Sequence, residues 1–477
     1  MVFNSINFLL FFPLVLLLYY YVPKKFKVIF LLIASYYFYL NTKPVFILLL
    51  IGVTISTYTF SKLIASVKED SWKIFYMRLN IILVLLPLFF FKYFTVINSE
   101  IIELSEGGIF MWPLPEMKYM LPIGISFYTF MAIGYTVDVY NEDVPAESSI
   151  FNVGLFLSFF PIILSGPIER AGNIFPQLKK INNFSTDNLV EGAKLMLWGY
   201  FMKLCVADRL GIYIDTVFNN ISQHNGNSLA LASILYPFQL YADLGGYSLI
   251  AIGTARCLGF GIIPNFNRPF FSTSMAELWR RWHMSLIQWL TDYIYTPFVF
   301  KLRKNKMMGV VVALMLTFII SGIWHGAELV FLVWGCLQGI FLSFEAVTKK
   351  SKSRLELNYN LSKNSFYIFL SILLTFILFA FSQIFAKCNN MDEAITVINK
   401  ILTQRGSLFI DSTNLGYGLI FLSILFLKDF KDEFFFNKLR FYENKSMIIR
   451  FMSYSITIVM IVAMGVLDSG EFIYFKY

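Results

Sequence analysis

The chain contains few of the residues on which soluble enzymes usually depend. Only three histidines and four cysteines occur in 477 residues, and charged side chains make up 14% of the total. The cysteines are far apart and mostly in apolar surroundings, a pattern that favours neither a disulfide framework nor a zinc site. The sequence has no phosphate-binding loop, dinucleotide fingerprint, His-Glu-x-x-His or Gly-x-Ser-x-Gly. We therefore expect no bound metal. The missing motifs also argue against the catalytic mechanisms that are common in soluble enzymes.

Apolar residues dominate instead, at 57% of the chain with 18% aromatic. A helix needs about 20 apolar residues to cross ~30 Å of hydrocarbon. Apolar runs near that length recur along nearly the whole chain: Ile6–Tyr21, Val28–Leu40, Val45–Phe60, Leu79–Ile97, Met120–Val137, Phe151–Leu164, Leu229–Ile252, Val310–Ile320, Leu329–Phe344, Phe366–Phe385, Leu415–Leu427 and Ile448–Val466. The sequence predicts an all-α, multi-pass membrane protein whose solvent is the lipid bilayer, with some elements re-entrant.

The formal charge of +9 is spread over short loops between the apolar runs. Basic residues follow the first run at Lys24–Lys27 and lie between the third and fourth runs at Lys62–Arg78, whereas Glu100–Gly108 is acidic. Cytoplasmic loops are enriched in Lys and Arg, so this pattern predicts an external N-terminus and cytoplasmic basic loops. Membrane topology explains the charge, and we expect no nucleic-acid partner. The first run has no cleavage site and is interpreted as a retained helix.

Two segments are predicted to be amphipathic helices. Ser274 and Glu277 form a capping-box pattern at the start of Ser272–Phe300, and apolar residues then recur every three or four positions. This helix is expected to lie in the interface or to line a polar cavity. Met391–Leu402 also has near-helical apolar spacing and is predicted to be a short interfacial helix. The stretches Asn98–Lys118, Lys349–Asn364 and Ala386–Leu415 are predicted to be polar loops, and the short helix lies within the last of them.

The three histidines differ in their surroundings. His224 lies in a polar loop and is interpreted as a solvated surface residue. His283 and His325 each follow a tryptophan, and His325 stands in a Gly-rich turn within an apolar stretch that has basic loops on both sides. The chain between those loops must enter and return, which places His325 at membrane depth. An imidazole there is a candidate general base unless a neighbouring carbonyl merely satisfies it.

Other polar residues lie at apparent membrane depth, beside glycine and proline. Asp138, Asp243 and the pair Glu169–Arg170 are of this kind. They could hold broken helices together, or the breaks could open a cavity where backbone groups meet polar ligands. Gly335–Gly339, a Gly-x-x-x-Gly, is most simply a helix-packing face.

Several motifs, in order, resemble the membrane-bound O-acyltransferase (MBOAT) family, and within it the bacterial alginate O-acetyltransferase branch. The matching segments span nearly the whole chain: Ser126–Phe130, Asp138–Tyr140, Phe159–Pro161, Ser165–Ile168, Asp243–Ser248, Phe266–Phe270, Glu277–Leu286, Trp289–Pro297 and Ile323–Ala327. The resemblance implies one membrane domain over residues 1–477. It also implies a ring of about eleven tilted transmembrane helices, with re-entrant or interfacial helices, around a central tunnel.

The resemblance also implies roles for residues. His325 matches the tunnel histidine that deprotonates or positions the attacking hydroxyl, and His283 matches a second motif position that helps to shape the tunnel. The expected tunnel and supporting residues are Trp324, Trp282, Asp292, Asp243, Arg281 and Ser321. No cofactor is expected to be tightly bound, because the donor, acetyl-CoA or another acyl thioester, is a substrate.

The family resemblance implies a multi-pass protein of the plasma membrane that acetylates a polysaccharide acceptor with an extracytoplasmic SGNH-hydrolase-like partner. Where alginate-type relatives commonly continue Tyr-Ile-Pro-Leu-Gly-Gly, this chain has Tyr295–Lys301 with more basic character, somewhat as in D-alanyl exporters for teichoic acid. Two alternatives therefore remain. One is a D-alanyl transferase that uses a carrier-protein thioester, and the other is a polysaccharide or lipid transporter without acyl transfer.

Overall fold

The computed structural model describes residues 1–41, 44–94, 97–98, 101, 122–164, 166–180, 183–435 and 442–467. The predicted loop Asn98–Lys118, with its acidic Glu100–Gly108 segment, lies almost entirely outside these residues. Where the chain is described, it is helical and has no strand. Contacts divide it into two compact units, one of residues 1–195 and 251–263 and the other of residues 196–250 and 264–477.

Nineteen α-helices are found in the described residues. Those up to residue 257 are α1 (Ile6–Tyr21), α2 (Lys27–Leu40), α3 (Ile47–Ser66), α4 (Asp70–Phe89), α5 (Ile125–Tyr140), α6 (Ile150–Ser158), α7 (Ala171–Lys179), α8 (Thr186–Tyr200), α9 (Asp208–Phe218) and α10 (Gly226–Cys257). The rest are α11 (Met275–Arg281), α12 (Met284–Leu290), α13 (Thr296–Lys301), α14 (Lys306–His325), α15 (Leu329–Asn358), α16 (Ser365–Lys387), α17 (Met391–Thr403), α18 (Asn414–Phe434) and α19 (Met447–Met464).

Short π-helical and 3₁₀ segments lie between some of these helices. The π-helical segments are Phe90–Phe94, Phe201–Ala207 and Thr291–Tyr295. The 3₁₀ segments are Lys24–Phe26, Pro44–Phe46, Pro269–Phe271, Arg303–Asn305 and Leu361–Lys363.

Six helical segments of the described chain are long and apolar enough to cross a membrane: Pro44–Ser66, Asp70–Phe94, Arg303–His325, Leu329–Asn358, Ser365–Lys387 and Met447–Met464. The protein is therefore a multi-pass membrane protein, and the described chain has fewer such segments than the eleven or so expected. One reason is that the apolar run Phe151–Leu164 is helical only to Ser158, which is too short to span.

The first unit contains a buried polar contact between its longest helices. Asn80 of α4 is 0% exposed. Its side-chain oxygen accepts a hydrogen bond from Ser56 of α3 (2.6 Å), and its amide donates one to Thr136 of α5 (2.7 Å). Because a buried amide is stabilised only when it is hydrogen-bonded, these contacts fix how the three apolar helices pack.

In the second unit, α16 illustrates how helices separate a lipid-facing side from a packed side. Its exposed residues recur at helical spacing: Phe366, Phe369, Leu370, Leu373, Leu374, Ile377 and Phe381. The buried side carries the polar residues Thr375, Ser382 and Gln383. Apolar side chains need no burial in a bilayer, so the polar ones mark the face that packs against protein.

The helices α14 and α15 form a hairpin that packs through glycine. A Cβ on Gly322 would lie 2.4 Å from the carbonyl oxygen of Phe331, and one on Gly335 would lie 2.4 Å from that of Phe318. The backbones thus approach more closely than any other residue allows, as the Gly335–Gly339 motif predicted. The three-residue connection after His325 confirms that the chain turns back at this histidine.

The hairpin also separates His325 from the basic residues. Lys306 starts α14, and Lys349 lies 20 residues into α15, so about 30 Å of helix stands between each and the turn. The prediction that Lys349–Asn364 is a loop was wrong, because α15 continues to Asn358. Helix-forming Lys, Arg, Glu and Leu residues extend it beyond the apolar run.

The amphipathic segment after Ser272 begins as predicted but is not one helix. The Ser274 side chain accepts a hydrogen bond from the Glu277 backbone amide (3.1 Å), which confirms the cap. The helix ends at Arg281, and His283 adopts a left-handed conformation (φ 44°, ψ 49°) before α12 begins. The break depends on contacts with Asn265, described below. The predicted helix Met391–Leu402 is confirmed as α17.

Candidate active site

His325 is the last residue of α14 and is oriented by the main chain. Its Nδ1 lies 2.7 Å from the carbonyl oxygen of Ser321, one turn earlier. A carbonyl can only accept a hydrogen bond, so Nδ1 carries a proton, and when the ring is neutral its lone pair is on Nε2. The rings of Trp324 and Trp334 lie 4.7 and 4.8 Å from the imidazole, centre to centre. The imidazole is half-buried and therefore has access to small molecules.

His283 is oriented in the same way by a side chain. It is 4% exposed, and its Nδ1 lies 3.1 Å from the side-chain oxygen of Asn265. That oxygen also accepts hydrogen bonds from the backbone and hydroxyl of Ser285 (3.3 and 2.9 Å). The side-chain amide nitrogen of Asn265 donates a hydrogen bond to the Ser248 hydroxyl (3.0 Å). The backbone carbonyl of Asn265 accepts one from the backbone N–H of Met284 (2.8 Å).

This arrangement of Asn265 explains both the backbone break and the state of the ring. The contacts hold the start of α12 against Asn265, which requires the left-handed turn at His283. Because the amide nitrogen of Asn265 is used by Ser248, its oxygen faces His283, and Nδ1 of His283 carries the proton. Burial, with a smaller contribution from His325, lowers the pKa of His283 to about 3. His283 therefore stays neutral near pH 7.

The two histidines line a single cavity of about 40 Å³. A water molecule needs roughly 10–15 Å³ of such space, so the cavity holds about three waters or a group as small as acetyl. Aromatic and aliphatic side chains form most of its wall, which comprises Tyr236, Leu240, Leu244, Trp279, Trp282, His283, Leu286, His325, Phe331, Trp334, Gln383 and Ala386. These residues come from six helices of the second unit and from the break between α11 and α12.

A chain of hydrogen bonds fixes the wall. The indole of Trp279 donates to the Gln338 side chain (3.2 Å), and the Gln338 amide donates to the Ser382 hydroxyl (2.6 Å). Ser382 in turn donates to the carbonyl of Phe379 (2.6 Å). Gln338 is 0% exposed. These bonds join α11, α15 and α16 behind the cavity, so the aromatic wall is held rigidly.

The structure brings some of the predicted supporting residues to the cavity and places others elsewhere. Trp282 lines it, and Ser321 contributes its carbonyl to His325. Trp324 packs against His325 without being one of the lining residues. Asp292 lies on an exposed π-helical turn away from the lining. The roles of these residues in activity stay predictions.

Asp243 and Arg281 belong to separate ionic networks. Lys203 lies 2.5 Å from Asp243 and 2.8 Å from Asp208, and all three are largely buried. Arg281 pairs with Glu277 and with Glu433 of α18 (2.8 and 2.9 Å). Both networks join helices around the cavity without reaching it. The described residues contain no group of three or more His, Cys, Asp or Glu arranged to bind a metal.

Sequence reasoning missed four polar or aromatic residues of the site. Asn265, Gln338, Gln383 and Trp334 were not singled out, yet three of them carry an amide within or beside an apolar run. A buried amide in such a run is costly unless it has a partner, and this cost was the signal that could have found them.

Comparison with known proteins places the chain in a family. The sequence profile of the membrane-bound O-acyltransferase family (MBOAT) matches residues 26–383. The chain is 34% identical to the probable alginate O-acetylase AlgI of Pseudomonas aeruginosa over 359 residues, 72% of this chain and 66% of that protein. It is 28% identical to the peptidoglycan O-acetyltransferase of Helicobacter pylori, over 75% of this chain and 70% of that protein.

A teichoic acid D-alanyltransferase of Bacillus subtilis is also similar, at 28% identity over 53% of this chain and 65% of that protein. The chain thus spans about two thirds of the length of these relatives. The profile match covers most of the described membrane helices and both cavity histidines. The chain belongs to the membrane-bound O-acyltransferase family of enzymes.

Proposed function

We propose that this protein transfers an acetyl group from a cytoplasmic thioester, acetyl-CoA, across the membrane toward hydroxyls of an extracytoplasmic polysaccharide. The observation that carries the proposal is the pair of histidines on one small cavity, each with its Nδ1 proton engaged and its lone pair on Nε2. A neutral imidazole in that tautomer is a general base for a hydroxyl. We assign this role to His325, which is half-buried, whereas His283 is almost fully buried.

The position of the cavity supports transfer between the two sides of the membrane. His325 lies at the end of the α14–α15 hairpin opposite the basic residues, about 30 Å of helix away. With those basic residues in the cytoplasm, the histidines lie toward the external side, where an acceptor arrives. A thioester made in the cytoplasm must then present its acyl group to the cavity from within the protein.

The lining favours acetyl over D-alanyl. A D-alanyl group carries an ammonium, which is costly to bury without an acidic partner. None of the described residues that line the cavity is acidic. An acetyl group is neutral and fits a cavity of about 40 Å³ with an aromatic wall. The relatives named for O-acetylation are consistent with this choice.

We further propose that an SGNH-hydrolase-like partner outside the membrane receives the acetyl group and completes transfer to the polysaccharide in the cell envelope. The protein would thus act in the plasma membrane. Mass analysis of envelope glycans from cells with and without the active protein tests this part. Acetyl esters that persist when the protein is inactivated would count against it.

The central experiment uses purified protein in lipid nanodiscs with radiolabelled acetyl-CoA. We expect thioester consumption by the wild type and a loss of about 10²–10⁴-fold in the His325→Ala variant, the range that a general base contributes. His224→Ala is the matched control, because His224 lies in a loop where its ring contacts Phe409 rather than the cavity. It should keep wild-type activity.

Three outcomes would contradict the proposal. Full activity of His325→Ala would exclude its role as the base. Consumption of a D-alanyl carrier-protein thioester, with acetyl-CoA untouched, would select the D-alanyl alternative. Passage of a polysaccharide or lipid across vesicles without consumption of either thioester would select the transporter.

A further inference from the structure

The side chain of Gln383 is almost fully buried, and its amide has no hydrogen-bond partner among the described residues. It lies on the last turn and a half of α16, is 2% exposed and lines the cavity together with His325. Its amide forms no hydrogen bond with any of the described residues. Buried amides are nearly always paired, so this one requires an explanation.

A second buried glutamine, Gln338, has a structural role and can be compared with Gln383. Gln338 of α15 accepts a hydrogen bond from Trp279 and donates one to Ser382, the neighbour of Gln383 in the chain. Gln338 therefore joins three helices, whereas Gln383, at nearly the same burial, joins none. The indole Nε1 of Trp334 is a further buried donor that has no partner in the described chain.

Building on the proposed function, we infer that Gln383 is a catalytic residue whose amide N–H binds the carbonyl oxygen of the acyl thioester. Gln383 and His325 line the same small cavity, so one acyl group bound there can contact both side chains. A donor to this oxygen is most effective where little water competes for it, and an acetyl group that occupies a cavity of about 40 Å³ displaces most of the water from it.

The proposed reaction breaks the thioester bond and forms an ester bond. The hydroxyl oxygen of the acceptor attacks the thioester carbonyl carbon while Nε2 of His325 takes the hydroxyl proton. Negative charge develops on the carbonyl oxygen, where the amide N–H of Gln383 stabilises it. The carbon–sulfur bond breaks, the ester forms, and the thiolate takes the proton from His325 to leave as a free thiol.

Gln383→Met and Gln338→Met form a matched pair of variants for testing this inference. Methionine keeps the length of glutamine but removes its hydrogen bonds. We expect Gln383→Met to lower kcat for acetyl transfer about 100-fold, as loss of one such donor does in other enzymes, with KM for acetyl-CoA little changed. Its Tm should equal or exceed that of the wild type, because the Gln383 side chain has no hydrogen bond to a described residue that the substitution could remove.

Gln338→Met should instead lower Tm, since it leaves Trp279 and Ser382 without their partner. A Gln383→Met variant whose Tm falls as far as that of Gln338→Met would make Gln383 structural and overturn the inference. So would a Gln383→Met variant with the kcat of the wild type. If the wild type is active and His325→Ala is not, that second result overturns this inference alone, whereas an inactive wild type overturns the proposed function with it.

Infrared spectroscopy of bound acetyl-CoA gives an independent readout. With carbon-13 in the acetyl carbonyl, the stretching band of the bound thioester should lie at a lower wavenumber in the wild type than in Gln383→Met, because a hydrogen bond weakens the C=O bond. Identical bands in the two proteins would overturn the inference even if kcat differs.

Discussion

His325 donates its Nδ1 proton to the backbone carbonyl oxygen of Ser321, 2.7 Å away in the same helix. Bases in many enzymes are oriented by a third side chain. Here the orienting group is part of the main chain of α14, so replacing the Ser321 side chain leaves it in place. We expect Ser321→Ala to lose less than about tenfold in activity, against the much larger loss of His325→Ala. Equal losses in the acetyl-CoA assay would show that the serine hydroxyl has a role of its own.

Asn265→Ala should reduce both stability and activity. The change removes the Asn265 oxygen as the acceptor for Nδ1 of His283 and for the backbone and hydroxyl of Ser285, and the loss of a buried hydrogen-bond acceptor costs about 1–3 kcal/mol. Thermal unfolding in detergent measures the effect. Ser248→Ala removes only the acceptor of the Asn265 amide and should cost less. A Ser248→Ala variant as unstable as Asn265→Ala would contradict this ordering.

Lys203→Met is expected to be among the most destabilising single substitutions in the second unit. Lys203 is 3% exposed and serves two carboxylates, those of Asp208 and Asp243. Breaking a buried ion pair from one side costs about 3–5 kcal/mol, because a charge is left uncompensated. Asp243→Asn leaves Lys203 paired with Asp208 and should cost less. The yield of folded protein and its Tm check this order, and the reverse order would contradict it.

Gly322→Ala should disturb the hairpin that holds His325. The added Cβ would lie 2.4 Å from the Phe331 carbonyl, so α14 and α15 must move apart three residues before the histidine. Gly52→Ala in α3 is the control, because nothing lies within 4 Å of its added Cβ and alanine favours helix. We expect lower Tm and activity for the first variant and an unchanged or higher Tm for the second. Equal Tm values would show that the hairpin tolerates a wider spacing.

His283 should make stability depend on pH. Burial lowers its pKa from 6.5 to about 3, and it lies outside the six candidate spans. As the pH falls below 6.5, the unfolded chain binds a proton that the folded chain does not, so stability decreases until about pH 3, by at most ~1.4 kcal/mol per pH unit. The Tm of the wild type should therefore fall more steeply than that of His283→Gln between pH 7 and 5. Parallel curves would contradict this assignment.

Much of the fold could be predicted because membrane-spanning helices consist of long apolar runs that are visible in the sequence. The long apolar runs, the turn at His325 and the cap at Ser274 depend on residues close together in the chain. The break at His283 could not be predicted in this way. It depends on Asn265, 18 residues earlier, whose side chain is placed by Ser248 on another helix.

The site was predictable for a similar reason and to a similar extent. His283 and His325 could be identified because histidine is rare in this chain and because a polar ring in an apolar run needs a partner or a function. Gln383 and Gln338 meet the same criterion, but only the three-dimensional structure shows that Gln338 is hydrogen-bonded and that Gln383 has no such partner in the described part of the chain. The ion pairs of Asp243 and Arg281 likewise depend on distant segments of the chain.

The length of α14 has a consequence for how this protein can vary. Twenty residues join Lys306 to His325, and each added or removed residue would shift the imidazole by 1.5 Å along the helix and rotate it by 100°. Gly322 would leave its place opposite Gly335 at the same time. We therefore expect functional relatives to differ in this segment by substitution alone, with insertions and deletions confined to the segments outside the hairpin.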